Sequence, residues 1–517
     1  MKSFDLGKGL VLGAAAASLL TPRIASAGGV FAGEAGSQAQ SRGGAFVAKA
    51  DDPSALMHNP AGLAKTTHFS LFVGANLVQF WQSFDRDGVY QNWPEADPAG
   101  TPAFQGQEMP EISNSGPPQP IPLISFAARF GNLAGAIGLF APQAFPNRDY
   151  PDTVVTANGM VAPNPGRYDI QEQKSLAALP SIALAYHLGD MLDIGVRGSW
   201  GFSTLKATSK LWALPNVEED EGKDATFNLD VKDTFIPAFG AGILFRPIPS
   251  IEIGAQYSSE FDMDMRGSGT TVLGSRSGGH GLPIPEVGPP PDNEAQCAPG
   301  GTADALKACA KIILPQTASL GARYIWHDGL GREKADLELD VQWEDWSAAK
   351  EIHVMVDAKL QSAPFSTLNE TVLYHGFKDV ISTRLGGSYA LDVGSGQDQI
   401  ILRGGVGYDT ATAPDSWSRL DIDGAARVQV GAGGSYQMGS WKLDLGLAGI
   451  FEPKRTSTGL DPFAPATEAD GTDQEYRNNP DPTNPKSGPF NQTVHPMNLG
   501  TFTSGYLVVA LGATYNF

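Results

Sequence analysis

The residues able to do chemistry in this chain are few, and their spacing favours binding over catalysis. Eight histidines occur, His58, His68, His187, His280, His327, His353, His375 and His495, none in a nucleophile motif, and Gly-x-Ser-x-Gly is absent. Covalent catalysis needs a nucleophile, a base and an orienting group in one place; no such set is visible, so no catalytic residue is assigned. Cys297 and Cys309 lie twelve positions apart without a flanking histidine. Two thiolates do not complete a zinc shell, so no metal is expected. In an exported chain the pair reads as a disulfide closing one loop, with residues 304–313 as a short helix. The other positions of interest are helix starts: Asp52 before Pro53 and Asn59 before Pro60. A capping oxygen ahead of a proline at a first helical position predicts two short turns joined tightly. If the ligand carries a carboxylate, Arg197, Arg384 and Arg403 are candidates to receive it.

The leading segment fits export. Lys2 and Lys8 precede an apolar stretch from Leu10 to Leu20, and Ala25-Ser26-Ala27 offers a small-residue cleavage site. Residues 1–27 are expected to be a signal peptide, leaving 490 residues of 517. The formal charge of −20 becomes about −22 without that segment, which argues against a nucleic-acid partner. No later run of about twenty apolar residues exists, so helical membrane spans are excluded.

What remains alternates. Val428, Val430 and Tyr436 alternate with Arg427, Gln429 and Ser435; Trp441, Leu443, Leu445 and Leu447 alternate with Lys442, Asp444 and Gly446. Segments of about ten such residues have the length and period of tilted transmembrane strands. Fourteen are predicted: 69–81, 121–130, 133–142, 174–188, 192–206, 234–246, 251–266, 316–326, 335–346, 379–391, 399–410, 427–438, 441–452 and 504–517. Short turns such as Gly131-Asn132 and Gly439-Ser440 alternate with long Pro/Gly/Asp-rich loops at 82–120, 143–173, 207–233, 267–315, 347–378, 411–426 and 453–503. A soluble sandwich has no reason to sort its loops by length; a membrane barrel does. The fold class expected is an all-β transmembrane antiparallel barrel of about fourteen strands (67–517), plugged by a small N-terminal helical hatch (28–66). Inward glycines such as Gly386, Gly405, Gly407, Gly431 and Gly433 either leave room for a cavity or relieve a crowded wall.

Gly43-Gly44-Ala45-Phe46-Val47-Ala48, Ala50-Asp51-Asp52 and Asn59-Pro60-Ala61-Gly62-Leu63, in that order, resemble the hatch of the outer-membrane long-chain fatty-acid and hydrocarbon transporters (the FadL/toluene-transport family). The string from Asp340 to Trp346 is similar to that family's acidic, tryptophan-bearing strand, and a last strand ending on Phe517 resembles the assembly signal of outer-membrane barrels. The resemblance implies a monomer in the outer membrane of a Gram-negative bacterium that passes hydrophobic molecules without a cofactor. Ligand would be captured by external loops, held in a lumen pocket beside Asn59, Pro60 and Ala61, and released sideways into membrane lipid where the third strand kinks. Gly138 and Pro142 are the kink candidates. Trp343 and Trp346 are expected in the interfacial aromatic belt. Leu306, Ile312, Ile313 and Leu314 are either capture residues or a small loop core. A porin or structural barrel without hydrophobic cargo is the alternative.

Overall fold

A computed structural model describes residues 33–90, 103–142, 146–211, 222, 224–274, 306–349, 351–356, 370–394, 398–413, 415, 418–422, 424–457 and 500–517. The alternating segments form the wall as β1 (Phe69–Arg86), β2 (Gln119–Phe130), β3 (Leu133–Phe140), β4 (Glu172–Leu188), β5 (Leu192–Leu211), β6 (Ala225–Ile248) and β7 (Ile251–Ser258). The second half comprises β8 (Thr317–His327), β9 (Glu333–Glu344), β10 (Val380–Val393), β11 (Asp398–Asp409), β12 (Arg427–Met438), β13 (Trp441–Phe451) and β14 (Gly500–Asn516). Each pairs antiparallel with the next. The last returns to the first, from Ser70 opposite Asn516 to Arg86 opposite Gly500. Closure follows from the solvent, since hydrocarbon cannot satisfy a free sheet edge. No helix among the described residues is long and apolar enough to cross a membrane.

Side chains sort as their period dictates. Leu443, Leu445, Leu447, Val428 and Val430 stand outward and half-exposed, whereas Asp444, Arg427 and Gln429 are buried inward. Strands also outrun lipid. β6 has 24 residues, and at about 3.3 Å each this exceeds a ~30 Å hydrocarbon core even when tilted. Its first third, Ala225 to Lys232, pairs with an accessory strand, Phe261–Leu273, at the long-loop end. Leu306–Leu314, Glu351–Val356 and Glu370–Tyr374 extend that sheet in turn.

Two local expectations are corrected. The segment 304–313 is not helical where it is described, because Leu306–Leu314 is a strand. Ala308, Ala310, Ile312 and Leu314 face a core with Phe261, Met263 and Met265, a period-two fit that outweighs helix propensity. Cys309 in it is disulfide-bonded; Cys297 lies outside the described residues, as does the cleavage site at Ala27. Trp346 is no belt aromatic either. It is buried, donates Nε1 to Glu344 Oε2 at 2.7 Å and meets Phe377 edge-on.

Leu445 lies mid-strand on the lipid face. Leu445→Arg is expected to cost the refolded barrel about 2–4 kcal/mol, measured as a lower urea midpoint in lipid vesicles, while Leu445→Phe leaves the midpoint nearly unchanged.

Candidate functional site

Residues 33–66 lie inside the cylinder. They form α1 (Ser37–Ser41), α2 (Ala55–His58) and one 3-10 helix, Pro60–Lys65. Asn59 caps the turn that begins at Pro60 as the sequence suggests, whereas the helix after Asp52-Pro53 begins only at Ala55, with Ser54 at its N-cap and no side-chain cap. Asn59 Oδ1 accepts from Ala61 N at 3.1 Å, and Asp52 Oδ1 accepts from Ser54 N at 2.8 Å. Asn59 does a second job: its Nδ2 donates to Val47 O at 2.9 Å and to Ile243 O of β6 at 3.2 Å. One side chain thus caps a turn, ties two parts of the hatch and fastens both to the wall.

The inward glycines are seats for this segment. A Cβ on Gly405 would lie 2.0 Å from Arg42 O, and one on Gly386 2.3 Å from the same atom. On Gly195 it would meet Ala61 N at 2.4 Å, and on Gly242 Asn59 Oδ1 at 2.0 Å. In the hatch, Gly43 has φ +64°, and a Cβ there would meet Val406 N at 2.6 Å; only glycine tolerates both conditions. Pro60 and Ala61 therefore pack on wall backbone, and the hatch residues that face open space are others.

Charge completes the docking. Arg42 donates to Asp336 at 2.6 Å and Glu338 at 2.9 Å, all three side chains being fully buried. Glu338 Oε1 accepts from Ala48 N and Lys49 N at 2.6 and 3.1 Å; Asp340 Oδ2 accepts from Phe46 N and Val47 N at 2.8 and 3.0 Å. The tight loop leaves these four amides without helix partners, and carboxylates at alternate positions of β9 supply acceptors at the matching rise. Lys65 reaches Glu252 of β7 at 2.8 Å.

Above the hatch, towards the long loops, lies a cavity of about 210 Å³. Met57 and His58 form part of its floor. One side is apolar, with Pro142, Leu179, Ala238, Phe261 and Leu314; the other carries Gln342, Glu344, Arg384, Arg427 and Gln429. The three arginines read from the sequence now differ sharply. Arg384 is bound to Asp409, and Arg403 pairs with Asp444 at 3.3 Å. Arg197 lines the cavity, is 6% exposed, and has no carboxylate within ion-pair distance among the described residues. Its Nη atoms reach Met57 O and Ser258 Oγ, both at 3.0 Å, and its Nε has no partner. A buried guanidinium without a counter-ion is costly, and it marks a place where an anion is favoured.

Among the described residues, the strand ladder beside this cavity is incomplete. β3 ends at Phe140, opposite Leu179 of β4, while its pairing with β2 ends at Leu139 opposite Ile124. Residues 119–123 of β2 and 174–178 of β4 run on past the strand that separates them lower down. The wall resumes at Arg148–Asp149, which pairs with Gln173 and Glu172. Gly138 sits just before this end, where a Cβ would lie 2.7 Å from the Phe140 ring, and Pro142 just after it.

Two outcomes follow for the hatch. Arg42→Met leaves Glu338 buried without its cation, while Asp336 keeps Arg323 at 2.7 Å and Lys49 at 3.3 Å, and is expected to weaken docking by about 3–5 kcal/mol, seen as faster hydrogen exchange in residues 43–63. Docking is also expected to weaken in acid. Burial raises the Asp51 carboxyl, but Lys49, Lys442, Arg323 and Lys65 outweigh it and hold it well below the usual range. A depressed carboxyl contributes stability above its unfolded pKa of about 3.9 and loses it as pH falls further. Intrinsically corrected exchange in 43–63 should rise below about pH 4, and less steeply in Asp51→Asn.

Comparison with known proteins agrees with this geometry. A family model described as outer membrane protein transport protein (OMPP1/FadL/TodX) matches residues 18–461. No curated protein sequence matches the chain. Among solved structures, a Pseudomonas aeruginosa FadL homologue superposes with a TM-score of 0.67 at 16% identity, covering 95% of this chain and all of that one. The Ralstonia pickettii toluene transporter TbuX gives 0.59 at 15% identity, over 94% and 99% of the two chains. The Pseudomonas putida toluene transporter TodX gives 0.59 at 13%, over 95% and 100%. With the family model spanning most of its length, this chain belongs to the outer-membrane transport protein family and is a multi-pass β-barrel of the Gram-negative outer membrane.

Proposed function

We propose that this protein is a passive conduit for hydrophobic molecules carrying a carboxylate, of which long-chain fatty acids are the type. The observation that supports this cargo is Arg197, a buried cation facing a half-apolar cavity with no carboxylate within ion-pair distance among the described residues. The two toluene transporters share the fold, but an aromatic hydrocarbon has no acceptor to offer such a group. The cavity's apolar side, from Leu179 to Phe261 and Leu314, would take the alkyl chain, where burial is worth about 0.8 kcal/mol per methylene. The carboxylate would sit on Arg197, and the hatch would stop the cargo from running straight through.

Release is sideways in this reading. The cavity reaches Pro142 and Leu179, which border the interval between β2 and β4. An alkyl chain leaving there enters lipid, whereas one leaving past the hatch enters water, so the hydrophobic effect favours the lateral route. Gly138 lets Phe140 and β2 approach closely enough for β3 to end early, and Pro142 denies it a further ladder hydrogen bond. The protein acts as a monomer, with surrounding membrane lipid as the receiver.

Uptake of radiolabelled oleate and of toluene into cells lacking their own transporter tests this. Arg197→Met is expected to reduce oleate binding and uptake about ten-fold or more, the scale of one charged hydrogen bond, with toluene unaffected. Cysteines introduced at Gln119 and Ser175 and joined by a short bifunctional thiol crosslinker, at a place where Gln119 Nε2 donates to Ser175 O at 3.3 Å, should block uptake but not binding. Wild-type transport by both Asn59→Ala and a deletion of residues 43–63 would overturn the role of the hatch.

A further inference from the structure

The same cavity holds two more buried donors that the carboxylate reading leaves unused. Arg427 and Gln429 line it from β12 and are 4% and 3% exposed. Arg427 gives its Nε to Asp409 at 2.7 Å, but its Nη1 has no acceptor, and neither has Gln429 Nε2. Standing two residues apart on one strand, they present these donors from the same face. A buried amide or guanidinium donor left unpaired costs about 1–3 kcal/mol. The wall keeps both, directly above Gly431 and Gly433, where the hatch begins.

Their position separates them from Arg197. β5 and β12 are seven strands apart in a cylinder of fourteen, and so face each other across the lumen. Strands about 4.8 Å apart and tilted by about 40° make such a cylinder roughly 28 Å across between backbones. After both side chains have reached inward, the two sets of donors remain separated by a distance on the order of 10 Å. One head group serves one wall.

The charge of the second wall sets the kind of group it takes. Arg384 and Arg427 share Asp409, Glu34 of the hatch approaches Arg384 at 3.9 Å, and Glu344 lines the same side, so two cations there face three carboxylates. A second anion would find no net attraction. A neutral oxygen accepts from Arg427 Nη1 and Gln429 Nε2 without upsetting that balance.

We infer that β12 carries a second, neutral-acceptor subsite, and that the preferred cargo is an oxygenated amphiphile: a carboxylic acid with a hydroxyl or carbonyl oxygen about halfway along its alkyl chain. This rests on the assignment of the carboxylate to Arg197 and adds a selectivity to it. A plain fatty acid leaves the β12 donors to water; an oxygenated one satisfies them from within an apolar chain.

Ricinoleate and oleate differ by one mid-chain hydroxyl, and their dissociation constants for the full barrel in detergent, measured by displacement of a fluorescent fatty acid, provide the test. The wild type is expected to bind ricinoleate about ten-fold tighter, the scale of one net hydrogen bond. Gln429→Met, which breaks no ion pair, should bring the ratio close to one. Arg427→Lys should reduce the ratio with Asp409 still paired. Equal affinities in the wild type, with water satisfying the donors, overturn the subsite, as does an unchanged ratio in Gln429→Met. Unchanged oleate binding in Arg197→Met overturns the carboxylate assignment instead, whatever the ratio. Heat-modifiable migration of each variant checks that the barrel has formed.

Discussion

Three carboxylates on one strand hold this molecule in its stoppered form. Asp336, Glu338 and Asp340 point into the lumen from β9 and receive Arg42 together with four consecutive hatch amides. Each half alone would be unfavourable, since Glu338 would be buried without a cation and the loop's N–H groups would lack acceptors. Together they satisfy each other. The glycines at the same level on β5, β6, β10 and β11 follow from this, because the backbone of the hatch comes so close that a side chain has no room. Their meaning was open in the sequence, and the answer is crowding at the hatch, with the cavity left to larger residues above it.

The same arrangement divides the lumen. On the side of β1 to β4 the inward residues include Phe80, Val78, Ile121, Leu123, Phe140 and Leu179 beside the uncharged Asn76 and Ser125, and on the side of β8 to β12 they include Arg323, Asp336, Glu338, Arg384, Asp409 and Gln429. An alkyl chain is favoured against the first and head groups against the second. In the function proposed, cargo leaves on this side, beside the end of β3 at Phe140. Inside and outside are both apolar there, so β1 and β14 lack the clean alternation of β12 and β13. That is why the late strands are easier to recognise in the sequence than the early ones.

Some elements were legible only in part. All fourteen wall strands can be placed from period and loop length, yet β5 and β6 run on well past their alternating cores as they leave the lipid and enter the external sheet. The strand Leu306–Leu314 resembles a helix locally, and edge pairing with Phe261–Leu273 decides otherwise. Trp346 carries the composition of a membrane-belt residue, but the turn after β9 swings it inward onto Glu344. Arg197, Arg384 and Arg403 cannot be ranked by sequence at all. Each sits at an inward position, and what separates them is whether an aspartate on a neighbouring strand lies within reach.

By itself, the sequence determined the periodic and local properties: export, a strand count, the sorting of loops by length, the cap at Asn59, and the hatch motif that points to the family. These depend on residues next to one another or two apart, so they survive without knowledge of the fold. Only the tertiary structure decided which charges are paired, which glycines are seats, where β3 gives out, and which donors face the cavity unpaired. Those properties belong to groups from strands hundreds of residues apart in the chain, brought together by closure of the cylinder. Pairing a buried charge is a matter of a few ångströms, and spacing along the chain carries no such distance.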